Sequence, residues 1–142
     1  IDMNLVLNNS NLGKSVLNKI NEIDKKNIKK LKLREEEIKK LEIKYKEKQN
    51  LLAKEALVNE AKKINDKIIN FRKEKDAMVK QINEIKNAEL KKFYEKINPV
   101  LDDYVNEKNI DLVLDIKVII MGKSKLNFTQ DFINLINEQF PI

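Results

Sequence analysis

Two stretches of this chain have residue types that could do chemistry: three consecutive carboxylates, Glu35-Glu36-Glu37, and the tripeptide Gly13-Lys14-Ser15. Clustered carboxylates can bind a divalent cation or exchange protons, and a Gly-Lys-Ser turn can cradle phosphate. Neither spacing supports that use. The glutamates fall in a helical pattern, where adjacent side chains point about 100° apart and do not converge. Glu35 with Lys39 and Glu36 with Lys40 instead make ordinary four-apart pairs. The tripeptide lacks the preceding glycine of a phosphate loop and its spacing, so it reads as a helix start. With no His and no Cys in the sequence, the commonest metal ligands, the neutral-pH proton shuttle and the thiol nucleophile are all missing. The expectation is a protein that is not an enzyme and has no cofactor and no metal site.

The elements that position these residues follow from punctuation and period. Two Gly, two Pro and 6% aromatic residues in 142 leave little turn chemistry, which argues against a sandwich or barrel. Between residues 14 and 98 there is neither Gly nor Pro, and apolar residues recur three or four apart, the period of a helix. One straight helix of that length would measure about 130 Å. A hairpin is more economical. Leu31, Ile38, Tyr45 and Leu52 fall seven apart, with Leu41 between them and Arg34 and Lys48 breaking the heptad. Ala61, Ile64, Ile68, Phe71, Met78, Ile82 and Ile85 form the returning stripe, interrupted by Lys75. Two such stripes can bury each other as an antiparallel coiled coil. The turn is placed near 51–56, and Pro99 is expected to kink the returning helix. No span approaches the roughly 20 apolar residues of a membrane helix.

The ends read differently. The run Ile110, Leu112, Val113, Leu114, Ile116, Val118, Ile119 and Ile120 is β-branched and apolar, closed by Met121-Gly122, and reads as strand with a bend at Lys117. Residues 1–7 carry a similar short pattern before Asn8, Asn9 and Ser10. A last helix begins at Thr129 as N-cap, with Phe132, Ile133, Ile136 and Phe140 on one face. The predicted fold class is therefore α+β, mainly α: a long antiparallel coiled-coil helical hairpin, residues 13–109, projecting from a small β-rich oligomerisation body built from 1–12 and 110–142 with a C-terminal helix. Such a body buries too little apolar area alone, so neighbouring protomers are expected to complete it. Leu112, Val113, Leu114, Ile116, Val118, Ile119 and Ile120 are the candidate oligomerisation residues.

The net charge of +6 comes almost wholly from Lys, since Arg34 and Arg72 are the only arginines. Residues 25–96 hold 23 basic and 13 acidic side chains, and the remainder 6 and 10, giving basic arms and an acidic base. Several such arms around a gap would make a positive enclosure that concentrates an acidic partner. Leu33 and Ile43 point about 180° from the seam of the first helix, and Ile69, Val79 and Leu90 lie outside the stripe of the second. Their exposure calls for a reason.

The ends also resemble a known family. Ile1-Asp2-Met3 through Val6-Leu7-Asn8, then Ser10 and Gly13-Lys14, is similar to the end of the first strand and the following helix of the Skp, or OmpH-like, periplasmic chaperones. Ile110-Asp111-Leu112-Val113-Leu114-Asp115 resembles that family's body strand, Phe128-Thr129 and Asp131 fall where its last helix begins, and Pro99 falls where its returning arm often has a proline. Met121-Gly122 departs from the pattern, which more often has an aromatic residue there. The resemblance implies a homotrimer whose arms enclose unfolded outer-membrane proteins without ATP: a periplasmic holdase that prevents their aggregation. A signal peptide removed upstream of Ile1 would go with that setting. On this reading Leu33, Ile43, Ile69, Val79 and Leu90 touch the client, and Lys39, Lys40, Lys62 and Lys63 help to collect it. An anionic lipid or lipopolysaccharide surface is a further candidate partner. The alternative is a coiled-coil scaffold or a non-specific nucleic-acid-binding protein; few Arg and sparse aromatics argue against a specific nucleic-acid site. Prefoldin-like chaperones place strands between terminal helices, the inverse of the order here.

Overall fold

A chain with so little Gly and Pro has few places to stop, and its helices run long. The computed structural model describes residues 1–141, with four helices: α1 (Met3–Asn9), α2 (Asn11–Lys48), α3 (Lys54–Glu107) and α4 (Thr129–Gln139). Two 3-10 turns, Ile116–Val118 and Ser124–Leu126, interrupt the segment between α3 and α4. The chain forms two compact units, one of Glu22–Glu84 and the other of Ile1–Asn21 with the chain from Ile85 onward.

In the Glu22–Glu84 unit, α2 and α3 are joined by residues 49–53. No glycine closes α2. Its last turn is satisfied instead by backbone bonds, with the N–H groups of Leu51 and Leu52 donating to the Lys48 carbonyl at 2.9 and 3.1 Å. Ile64 and Met78 are buried, and Leu31, Ile38, Leu41, Tyr45, Ala61, Ile68, Phe71 and Ile82 are half-buried, so the two apolar stripes are the covered faces.

The other unit buries Val6, Val16, Ile20, Phe93, Ile97, Val100, Phe132, Ile133 and Ile136. Asp2 caps α1, its carboxylate accepting from the N–H groups of Asn4 and Leu5. Ser10 then turns the chain in extended conformation, and its hydroxyl accepts from Gly13 N–H at 3.1 Å, which starts α2. At its far end α3 passes unbroken through Pro99, although the missing proline N–H leaves the Glu95 carbonyl without its helical donor. Asn109, at a left-handed φ of 49°, ends the segment: Ile110 N–H reaches back to the Val105 carbonyl at 3.0 Å, the closing bond of a Schellman motif.

Two expectations are corrected. No strand forms among the described residues, so the β-rich body is not present in them. Residues 1–7 are mostly the helix α1, because a run that short cannot distinguish a period of 2 from 3.6 and the Asp2 cap decides it. Residues 110–120 are irregular. An extended run needs a partner for its backbone groups, and one rung is all that Ile1 supplies: its nitrogen donates to the Leu114 carbonyl at 2.9 Å, and its carbonyl accepts from Ile116 N–H at 2.8 Å. Beyond that rung the Asp115 carboxylate accepts from Lys117 N–H and folds the bend at Lys117 into a 3-10 turn. Secondly, Thr129 does not cap its own helix. Its hydroxyl accepts from Asp2 N–H at 2.8 Å and so spends its cap chemistry on α1.

Gly13 is set by a close approach. A Cβ there would lie 1.9 Å from the Leu7 carbonyl oxygen, which is backbone and cannot swing away. Gly13→Ala should lower stability by about 2 kcal/mol or more, read as a fall in the melting temperature of the helical circular-dichroism signal. An unchanged melting curve would mean that α1 is not seated against α2 at this point.

Candidate binding surfaces

The Glu22–Glu84 unit has a polar interruption in its seam. Glu74 on α3 receives Lys30 at 2.6 Å and Arg34 Nε at 3.8 Å, both from α2, while Arg34 also reaches Glu37 at 3.2 Å. The Lys30 contact chiefly holds the Glu74 carboxyl below its usual value, with partial burial opposing. Beside this cluster Arg34, Glu37, Ile38, Lys67, Asn70, Phe71 and Glu74 line a small cavity of about 190 Å³. Three residues before Lys30 on α2, the buried amide nitrogen of Asn27 has no partner. Of the carboxylate run, Glu35 pairs with Lys39 at 3.3 Å, whereas no ion pair joins Glu36 to Lys40 among the described residues.

The candidate client contacts do not converge on a pocket. Leu33, Ile43, Ile69 and Val79 are 53, 57, 41 and 51% exposed, and Lys39, Lys40, Lys62 and Lys63 are exposed with them. None of these lines the cavity at Arg34. Leu90 differs: it belongs to the other unit, where α1, α2 and α4 are gathered with α3, and is half-buried. Sequence reasoning missed Ile28, Leu51 and Val58, at 46, 82 and 62% exposure. Leu51 carried a signal, a large apolar residue inside a turn.

In the unit that contains the termini, Leu112, Leu114, Ile116, Val118, Ile119 and Ile120 are exposed and Val113 is half-buried. Met121, read as closing the strand, and Leu126 are equally bare. With Tyr104 and Phe128, stacked at 5.1 Å, these residues other than Val118 frame a groove of about 840 Å³. The core beside it is fuller than the sequence suggested, since α1 and the ends of α2 and α3 add to α4. Most of the exposed apolar side chains of this unit belong to this segment; Leu5 and Tyr94 are the others.

The same unit holds a buried carboxylate. Glu89 faces Lys19 at 2.8 Å and Lys92 at 3.0 Å, and these bonds, Lys19 first, hold its carboxyl below the usual value. No cluster of three or more acidic residues could hold a metal ion among the described residues, and none of their helices is long and apolar enough to cross a membrane.

Comparison with known proteins gives a family match and a structural match. A family model described as outer membrane protein (OmpH-like) matches residues 1–136. A crystal structure from Caulobacter crescentus, of a protein assigned as an OmpH-like outer membrane chaperone, superimposes with a TM-score of 0.86 at 14% identity, over 95% of this chain and 80% of that one. At that identity the likeness is one of fold. None of the curated proteins matches by sequence.

The Glu89 pairs make stability depend on pH in one direction. A carboxyl whose value is lowered by folding contributes fully above the ordinary 4.5 and loses its contribution as pH falls through the lowered value. With no His, thermal melts should be flat near neutrality and decline in acid. Glu89→Gln should lower the melting temperature at neutral pH and flatten that acid slope; an identical slope would assign the acid loss to other carboxylates.

Proposed function

The chain belongs to the OmpH-like outer membrane protein family, and from that premise we propose that it is an ATP-independent holdase chaperone of the periplasm that captures unfolded outer-membrane proteins and prevents their aggregation. One observation carries the proposal. Residues 22–84 hold 19 basic and 13 acidic side chains, and among them Leu33, Ile43, Ile69 and Val79 stand exposed on long helices. Such a surface has no pocket to select a ligand. It offers many weak apolar contacts within a positive field, which suits a client that is extended, variable and anionic.

Lys fits this task better than Arg would. A hydrated ammonium on a flexible stem attracts without demanding a bidentate geometry, so no single contact fixes the client. The exposed segment Leu112 to Ile120 supports the second half of the proposal, a homotrimer in which this run is covered by neighbouring chains. The cost of leaving so much apolar surface in water favours that association. An anionic lipid or lipopolysaccharide surface is a second partner for the same positive field.

The test is the dilution of an unfolded β-barrel membrane protein from denaturant, with and without this protein, in the absence of ATP. Suppressed aggregation at about one trimer per client supports the holdase; no suppression at any ratio ends it. Replacing Leu33, Ile43, Ile69 and Val79 together by Ser should weaken capture by roughly tenfold or more, since each removes on the order of 1 kcal/mol of partial burial, while helicity is unchanged. Raising the salt should weaken it further through screening. Mass in solution should equal three chains, and Ile120→Lys with Val118→Lys should shift it toward one.

A further inference from the structure

The small cavity in the Glu22–Glu84 unit takes no part in the surface assigned above to client capture. Its floor is made by Ile38, Phe71 and Glu74, which are half-buried, and its rim by Arg34, Glu37, Lys67 and Asn70, which are exposed. Its volume is about 190 Å³. Pockets for small-molecule ligands begin at roughly 300 Å³, whereas an apolar cavity of about 150 Å³ already takes up a benzene ring. The size suits one side chain.

The charges at the cavity balance. Arg34 and Lys67 are matched by Glu37 and Glu74, so net charge selects neither an anion nor a cation. What the walls offer is an apolar base, Ile38 and Phe71, with cations at its edge. The Arg34 guanidinium spends its donors on Glu37 at 3.2 Å and Glu74 at 3.8 Å, which holds the group in place and leaves its flat faces uncommitted. A guanidinium or ammonium over an aromatic ring is attracted by the ring's quadrupole, and an aliphatic side chain gains nothing of the kind. The Glu37 carboxylate and the Asn70 amide add hydrogen-bonding groups at the rim, where they suit a hydroxyl at the end of an apolar body.

We propose that this cavity seats a tyrosine side chain of the unfolded client, its ring against Ile38 and Phe71 beside Arg34 and Lys67 and its phenol hydrogen-bonded to Glu37 or Asn70. The proposal rests on the holdase reading for the source of the tyrosine, and membrane β-barrels carry girdles of aromatic residues. Leu33 precedes Arg34 and lies one helix turn before Glu37, so an exposed apolar contact adjoins the seat. The seat gives an otherwise shallow surface one anchor of definite shape.

The probes are unfolded peptides of about ten Gly and Ser residues with a single central Tyr, Leu or Ser, added to the full chain labelled at its isoleucine methyl groups for NMR. The Tyr peptide should shift the Ile38 methyl signals and leave those of Ile82, outside the cavity, in place. The Leu peptide should need at least about fivefold more to reach the same shift, and the Ser peptide should give none. Asn70→Phe, which sets a ring at the rim while Arg34 and Glu74 stay in place, should abolish the Tyr response with helicity retained. Equal responses to Tyr and Leu, a Tyr response that survives Asn70→Phe, or shifts at Ile82 as large as those at Ile38 would each overturn the site. The titration needs no aggregation assay, so the two readings fail separately: suppressed aggregation with no Tyr response removes the site alone, and a Tyr response without suppression supports the site and removes only the holdase.

Discussion

Hydrogen bonds between residues more than a hundred positions apart hold the terminal unit together, and the other features of the chain depend on them. Asp2 N–H to the Thr129 hydroxyl and Asn11 N–H to the Asn137 side chain span 127 and 126 positions. They fasten α1 and the start of α2 to α4. Both partners in each case are groups that a helix end leaves unsatisfied or that a polar side chain must place when partly buried. The bonds therefore fix orientation where apolar packing of Val6, Phe132 and Ile136 alone would permit sliding. Gly13 works to the same end, since the approach that brings it to the Leu7 carbonyl is what allows α1 to fold back against α2.

How much of this was legible follows from which signals are local. The residues at heptad spacing, Leu31, Ile38, Leu41 and Tyr45, and the returning Ile64, Ile68, Phe71, Met78 and Ile82 are covered, because a period repeated over many turns encodes a face whatever lies opposite. Phe132, Ile133 and Ile136 of α4 were legible for the same reason. The segments that read as strands were not. A β-branched run states only that its residues would suit a sheet; whether a second strand is present to accept its backbone is a tertiary fact. Leu90 was misread by the opposite error, a two-helix rule carried into a region where more segments pack. Thr129 shows a third kind, in which the residue type was right and the partner was a different helix.

The proposed binding surface and the architecture place opposite demands on the same helices. A stable hairpin wants apolar residues on one face and solvated ones elsewhere, whereas capture wants apolar residues where nothing covers them. The proposed reading reconciles the two by spacing: Leu33, Ile43 and Val79 are single exposed residues, each with a charged neighbour in sequence, rather than a run of apolar ones. Charge does the rest. In the proposed role the Lys ammonium groups repel other hairpins and attract an anionic client with the same field.

The polar cluster in the seam has a role that an all-apolar stripe could not fill. An antiparallel pair of heptad stripes is nearly degenerate to a slip of seven residues, since each position then faces another of the same kind. Glu74 lifts the degeneracy. In the observed register it receives Lys30 and Arg34; a slip of one heptad brings Lys67 or Gln81 to the place of Glu74. One slip sets like charges together and the other leaves the arginine facing a neutral amide, so both lose the attraction that the native pairing makes. Half-exposed ion pairs add little to stability, and that is no objection here, because register is selected by the difference between pairings and not by the strength of one. A turn with no Gly or Pro cannot fix the register by its own geometry, which leaves the task to Glu74 and the two cations it faces.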